Sequence, residues 1–297
     1  MNYIKKAKIM EISNKFYNGG FLIDGKKKDI LSDKIKKKEI INKYHNHGII
    51  LFKNFNINPI KFDKFVKKFT LKYSNDATRR ELRFGNINLR NVDSGNHQIE
   101  LHSESSFTVT CPEIIWFYCI TPPKKNEGGN TKICDGINLW TALDIDTKKF
   151  FLKNPTIFHN KIKLKDNKNL KNQIWFLNKI GCYDEKIDWK NGFLYFKYKK
   201  FLVNKIKNFD KFIFANHLLS VKQEDQIIKC TYDNNKKIPK KIMKEIYDKA
   251  EDLTYHHNWQ QGDLIMINNK RFIHGRSKIE KRSNRDIINA QTLNCNF

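Results

Sequence analysis

One stretch limits the possible folds more than any other: residues 113–121, EIIWFYCIT. From Ile114 to Ile120 every side chain is β-branched, aromatic or cysteine, so no polar position supplies a solvent face. Pro112 precedes the run and Pro122–Pro123 follow it, and proline cannot donate to a sheet ladder. A short apolar run with such ends reads as the central strand of a sheet. At seven residues it is far below the ~20 needed to cross a bilayer.

Around this strand the chain alternates helical and extended patterns. Residues 30–47 predict a basic helix with Ile30, Leu31, Ile35, Ile40, Ile41 and Tyr44 on its apolar side, ended by Gly48. IILF (49–52) predicts a buried strand. Pro59 opens a second helix, expected over 60–73, in which Phe62, Phe65, Val66 and Phe69 recur at spacings of three and four. Residues 74–97 carry turn formers and TRRELRFGN, so a loop-rich segment is expected before a strand that enters IELHSES. KKNEGGNTKIC reads as a turn and a strand.

Residues 144–235 predict helices, a hairpin near WKNGFLYFKY (189–198) and otherwise strand-poor insertions. Pro239 opens a helix to 252, with Ile242, Met243, Ile246, Tyr247 and Ala250 as its stripe. GDLIMIN (262–268), RFIHG and RDIINAQTL (285–293) then return the chain to β-structure. No linker and no repeat period interrupts the pattern, so one domain is expected over residues 1–297.

Composition bounds the partners. Lysine and arginine number 57 against 31 acids, a formal charge of +26. An anionic partner such as nucleic acid would explain it. A compositional bias explains it better: the lysines are scattered in twos and threes, Asn and Ile are abundant throughout, and no nucleic-acid motif is visible. The six cysteines form no CxxC pair, which fits reduced thiols in a cytosolic protein. The opening MNYIKKAKIM lacks the apolar stretch of a signal peptide. A soluble, cytoplasmic protein is expected.

LHSES (101–105) places His102 and Glu104 two apart, on one face if both lie on a strand. An imidazole and a carboxylate side by side would fill two positions of a first-row metal. A third ligand from a distant strand would complete the two-histidine, one-carboxylate face of non-haem Fe(II) oxygenases. By itself the pair is weak, because the chain has nine histidines. His45 and His47 lie at a predicted helix end, and His159 and His217 have no chemical context. His256 and His257 read as structural. His274 is the exception, since it follows an apolar strand, precedes Gly275, and has Arg285 at the start of the next strand.

LHSESSF…PEIIWFYCITPP…EGGNTKICD and WQQGDLIMINNKRFIHGRSKIEKRSNRDII together resemble the taurine dioxygenase (TauD/TfdA-like) and clavaminate synthase-like superfamily of Fe(II)/2-oxoglutarate oxygenases. The form LHxE, with Glu in place of Asp, is similar to its SyrP-like branch. HGIILFKNF (47–55) resembles the superfamily's N-terminal strand. The likeness runs from about residue 40 to 293 and is poorest in an insertion around 144–235.

The resemblance implies a mainly β fold with flanking helices, a double-stranded β-helix (jelly roll) core. It implies an enzyme, a dioxygenase using Fe(II), 2-oxoglutarate and O2 and releasing succinate and CO2. His102, Glu104 and His274 would be the iron ligands. Thr131 and Arg285 would hold the distal carboxylate of 2-oxoglutarate, a pairing a guanidinium fork suits. Arg282 could serve in place of Arg285, and Thr131 could be an ordinary strand threonine.

The branch implies hydroxylation of an amino-acid-like small molecule, free or tethered to a carrier protein. Desaturation or cyclisation would use the same site. Arg79, Arg80 and Arg83 could meet such a substrate or form a solvated basic loop, and Phe107 could line the pocket or the core. Two departures stand out. The second arginine of sulfonate-binding members, four residues after the cofactor arginine, is Asn289 here, which disfavours a taurine-like sulfonate. The Asp-Asn pair before the distal histidine is Asn268–Asn269. Glu104 also disfavours halogenation, which needs a small residue at that position. A nucleic-acid-binding protein and a non-catalytic member of the fold are the competing readings, and no membrane partner is expected.

Overall fold

The structure is a computed structural model that describes residues 19–32, 36–74, 80–92, 95–108, 110–164, 170–205, 211–223, 227–233, 235–280 and 284–297. The chain begins with β1 (Phe21–Asp24), α1 (Lys37–His47), β2 (Ile49–Lys53), α2 (Pro59–Lys67) and β3 (Thr70–Tyr73). Helix α1 starts later than the pattern at 30–47 predicts. Asp29 accepts from the Leu31 N–H at 2.9 Å and its carbonyl from Ser32 at 3.1 Å, a local turn that competes with helix. Gly48 ends α1 in the left-handed region at φ 71°. In α2, Asn58 caps the Lys61 N–H and Pro59 sits in the first turn. Phe62, Phe65 and Val66 are buried, each worth roughly 1.5–3 kcal/mol as an upper estimate. The helix stops at Lys67 rather than 73, because Thr70–Tyr73 pairs as β3 with the last strand.

The segment expected to be loop holds β4 (Leu82–Arg83) and β5 (Asn86–Asn91). Phe84 and Gly85 both take positive φ, 56° and 63°, and form the tight turn between them. Phenylalanine is a rare choice there, so the hairpin was hidden in RFGN. Next come β6 (Ile99–His102), β7 (Ile114–Thr121), β8 (Thr131–Asp135), α3 (Gly136–Ala142) and α4 (Ile145–Lys153). The middle of the chain supplies β9 (Thr156–Lys163), α5 (Leu170–Lys179), β10 (Cys182–Asp188), β11 (Phe193–Lys200), β12 (Asn204–Lys205), β13 (Phe212–Ile213) and β14 (Ile227–Tyr232). It is therefore not strand-poor: β10-β11-β9-β14 form an antiparallel accessory sheet, with the expected hairpin turning at 189–192. Last come α6 (Lys240–Asp252), β15 (Tyr255–His257), β16 (Leu264–Asn268), β17 (Phe272–Arg276) and β18 (Asp286–Cys295).

Two sheets make the mainly β, double-stranded β-helix core. The larger runs β1-β2-β16-β7-β18-β5-β4, with β3 also on β18, and the smaller runs β15-β8-β17-β6. Strand β7 lies between β16 and β18, as its apolar run requires. Ile114, Trp116 and Tyr118 pack under α1 and α2, while Ile115, Phe117 and Cys119 face the smaller sheet. Between the sheets they meet Ile133, Trp259 and Phe272. Helix α6 does not buttress the larger sheet with α1 and α2. Its Ile246 and Ala250 join Leu139 of α3 against Leu101, Cys134 and Ile273, on the outer face of the smaller sheet. Among the described residues no helix is long and apolar enough to cross a membrane.

Candidate active site

The geometry of the site begins with strand register. His102 and His274 are directly opposed on antiparallel β6 and β17, so both rings project to one side, with centroids 4.7 Å apart. Gly275 permits this pairing: a Cβ there would lie 2.5 Å from the Ile99 carbonyl oxygen. Glu104 reaches the histidines differently from expectation. Strand β6 ends at His102, and Glu104 lies in the following turn, where Ser105 takes φ 50° and the Ser106 N–H bonds the Ser103 carbonyl at 3.2 Å. The turn, not the pleat, aims the carboxylate. Glu104 Oε2 lies 3.7 Å from His102 Nε2 and 3.9 Å from His274 Nε2. One potential ligand atom from each of the three residues falls within 4.8 Å of the others.

Asn269 anchors that turn. It is fully buried at the turn between β16 and β17. Its Oδ1 accepts from the Glu104 N–H at 2.8 Å, and its Nδ2 donates to the Glu104 and Pro112 carbonyls, both at 3.0 Å. Ser103 Oγ donates to the Asn269 carbonyl at 2.6 Å. The peptide that carries the carboxylate is thus gripped through both its N–H and its C=O, from the same turn that leads to His274.

Protonation states follow from the partners. His102 Nδ1 donates to the Glu100 carbonyl at 2.8 Å, which leaves Nε2 as a bare lone pair facing Glu104. Burial, and then the proximity of His102, pull His274 down to about 3, so it is neutral near pH 7. Behind them His217, also pulled to about 3 by burial, donates from Nδ1 to the Ser103 carbonyl at 3.2 Å and packs on the His102 ring at 5.2 Å. Burial would raise the Glu104 carboxyl, but Arg80, His102 and His274 outweigh it and hold it well below the ordinary carboxylate range. A carboxylate anion and two neutral imidazoles are the protonation states a divalent cation requires. The donor set therefore fits a first-row metal such as Fe(II).

The triad opens into a cavity of about 380 Å³, mouth included, also lined by Arg80, Val92, Ile99, Phe117, Thr131, Arg276 and Arg285. That volume is at the small end of ligand pockets, ~300–1,000 Å³. Thr131 opens β8 after Gly128 and Gly129, whose φ values of 74° and 76° suit only glycine well. A Cβ on Gly129 would meet Arg285 Cδ at 3.0 Å, so the same turn seats the arginine. Burial, with Arg276 beside it, pulls Arg285 down to about 10, still cationic at neutral pH. Two guanidiniums and a hydroxyl at one end suit an anion such as a carboxylate. Trp259 Nε1 donates to Thr131 Oγ1 at 3.0 Å, leaving the threonine's own proton for another acceptor. His257 Nε2 donates to Asp263 Oδ2 at 3.1 Å and its ring packs on Trp259 at 4.6 Å, which places the Gly-Asp turn in support of this end.

The remaining expectations divide. Arg80 lines the cavity and pairs with Glu104, its Nη2 lying 3.2 and 3.4 Å from the two oxygens. Arg83 does not line it: its fork grips Asp286 through two bonds of 2.8 Å and it also holds Asn91. Phe107 packs on His217 at 4.7 Å as a core side chain behind the site. Arg79 and Arg282 lie outside the described residues. Sequence reasoning missed His217, Trp259 and Arg276, and read Asn269 only as part of a departure. For Asn269 the signal was its place just before the strand of the distal histidine.

A jelly roll with two histidines and a carboxylate converging at a cavity is the architecture of non-haem metal oxygenases. Comparison with known proteins agrees. The family described as taurine catabolism dioxygenase TauD, TfdA family matches residues 20–291. The chain belongs to that family of dioxygenases. Among curated proteins no sequence match reaches significance. Solved structures with the same fold include the PvcB protein from Pseudomonas aeruginosa, at TM-score 0.64 and 14% identity over 98% of this chain and 94% of that one. AAD-2, solved with Mn(II) and N-oxalylglycine, gives 0.61 and 16% over 95% and 97%. A taurine dioxygenase from Burkholderia xenovorans gives 0.63 and 10% over 96% and 89%.

Proposed function

We propose that the chain is an Fe(II)- and 2-oxoglutarate-dependent dioxygenase that hydroxylates an unactivated C–H bond of an amino-acid-like small molecule, free or tethered to a carrier protein. The observation that carries this reading is the convergence of His102, Glu104 and His274 at one end of a cavity whose other end holds Thr131 and Arg285. A second PvcB structure is described as an Fe, alpha-ketoglutarate dependent oxygenase from an isonitrile synthetic pathway, which supports the cofactor pair. The LHxE pair and the HGR after it favour the SyrP-like branch. We read the chain as one oxygenase domain in which the accessory sheet is an insertion.

Bound Fe(II) with 2-oxoglutarate and O2 supplies an oxidant able to remove hydrogen from an unactivated carbon, with release of succinate and CO2. The protein supplies position. His102, Glu104 and His274 hold the metal on one side and leave the cavity side open. Arg285 and the Thr131 hydroxyl grip the far carboxylate of 2-oxoglutarate. Val92, Ile99 and Phe117 give the reacting carbon an apolar wall that keeps water out. Arg80 is the cation placed for a substrate carboxylate, once the metal has drawn charge from Glu104.

Anaerobic titration of the protein with Fe(II) and then 2-oxoglutarate tests this. A weak visible charge-transfer band should grow to one equivalent of metal. A protein that binds neither, or binds both without producing the band, would sink the reading.

A further inference from the structure

The inner face of β18 carries an unusual pair of side chains. Residues 287, 289 and 291 alternate toward the smaller sheet, while Ile288 and Ala290 turn to the helix side. Asn289 is 1% exposed and Gln291 4%. Neither Asn289 Oδ1 and Nδ2 nor Gln291 Oε1 and Nε2 meets a hydrogen-bond partner among the described residues. An unmade hydrogen bond on a buried polar atom costs about 1–3 kcal/mol. Four such atoms on two neighbouring inward positions demand an explanation. The two amides are not needed to hold β18, whose backbone pairs with β7 along its length.

Their position supplies the explanation. Asn289 is the cross-strand partner of Phe117 on β7, and Phe117 lines the cavity beside His274, with ring centroids 5.4 Å apart. On its other side Asn289 faces Arg90 of β5, whose Nη1 holds the Arg80 carbonyl at 3.0 Å. Gln291 follows two residues on, opposite Ile115. The amide pair thus flanks the substrate end of the cavity, away from Thr131 and Arg285.

We infer that Asn289 and Gln291 form a recognition subsite for an uncharged amide group of the substrate. This rests on the reading of the cavity as a dioxygenase substrate site. Each unpaired carboxamide offers both donors and an acceptor. A carboxylate could satisfy only the two NH2 groups and would face two carbonyl oxygens. An ammonium would do the reverse. A carboxamide or peptide-type amide satisfies both kinds of atom, and the conclusion holds whichever way either side chain is flipped. Sites built on buried hydrogen-bonding groups reject analogues that cannot pair with them. The subsite would select among amino-acid-like molecules for one carrying an amide, either in its side chain or in a tether.

Two measurements on the full chain decide it. The first needs no ligand. Asn289→Leu and Gln291→Met are near-isosteric and remove the unpaired atoms, so the melting temperature of the metal-free protein should hold or rise. A fall of several degrees in both variants would mean that the amides are already satisfied inside the protein, and would overturn the inference.

The second uses the protein loaded with Mn(II) and N-oxalylglycine. Binding of asparagine against aspartate, glutamine against glutamate, and N-acetylglycinamide against N-acetylglycine is measured by calorimetry. At least one amide should bind about tenfold tighter than its acid, a difference of roughly 1.4 kcal/mol. Each variant should shrink that preference to within about twofold. Equal or reversed preference, a preference that survives both variants, or no binding of any amide overturns the subsite. Failure to take up Mn(II) and N-oxalylglycine at all overturns the dioxygenase reading instead, and the melting comparison still judges the amide pair.

Discussion

Glu104→Ala is expected to abolish substrate-dependent succinate formation and to weaken metal binding by more than about 100-fold. Loss of a single outer partner of a metal ligand typically costs 10–100-fold in affinity or activity, and here a ligand itself is removed. Electrostatics adds to the loss. In the wild type the Glu104 carboxylate sits 3.2 Å from an Arg80 nitrogen and offsets its charge. Without it, two neutral imidazoles and a partly buried guanidinium face the incoming cation, and the guanidinium repels it. Mn(II) titration by calorimetry and succinate quantification with Fe(II) check both parts. Turnover within a fewfold of wild type would show that Glu104 is not a ligand.

Asn269→Asp is expected to be nearly as damaging although no ligand changes. The substitution keeps the shape and replaces the Nδ2 donor with an oxygen. That oxygen would face the Glu104 and Pro112 carbonyls, each now 3.0 Å from a donor. An uncompensated buried charge costs about 3–5 kcal/mol. The Glu104 turn should loosen, and metal affinity should fall roughly 10–100-fold. Urea unfolding and Mn(II) titration measure the two effects. Metal affinity within twofold of wild type, in a folded variant, would rule out Asn269 as the residue that positions the carboxylate.

The sequence made the two-sided burial of β7 legible, because seven apolar residues between prolines leave little choice. It made the ligand residues legible as types, yet not the way Glu104 reaches the metal. An i, i+2 pair is read as a pleat by default, and only tertiary hydrogen bonds from Asn269 reveal the turn. The β4–β5 hairpin escaped because its turn uses Phe84 at positive φ. Helix α2 was drawn too long because Phe69 continues the stripe, whereas Thr70–Tyr73 pairs with β18 from the far end of the chain. Non-local pairing of that kind outweighs local pattern. Arg83 and Arg80 are three apart in one basic segment, but only burial and partners separate a strut to Asp286 from a cavity residue.

The opposed placement of His102 and His274 carries a mechanical consequence. Strand β6 is the outermost strand of the smaller sheet and is joined to it only through β17. An ion shared by those two histidines and by Glu104 rivets this strand to its neighbour, tying residue 102 to residue 274. Because only the folded chain presents all three ligands, free metal at a hundred times its dissociation constant adds about 2.7 kcal/mol of stability by mass action. Heat resistance therefore becomes a gauge of iron loading: the starved chain should melt earlier than the replete one, fraying first at β6.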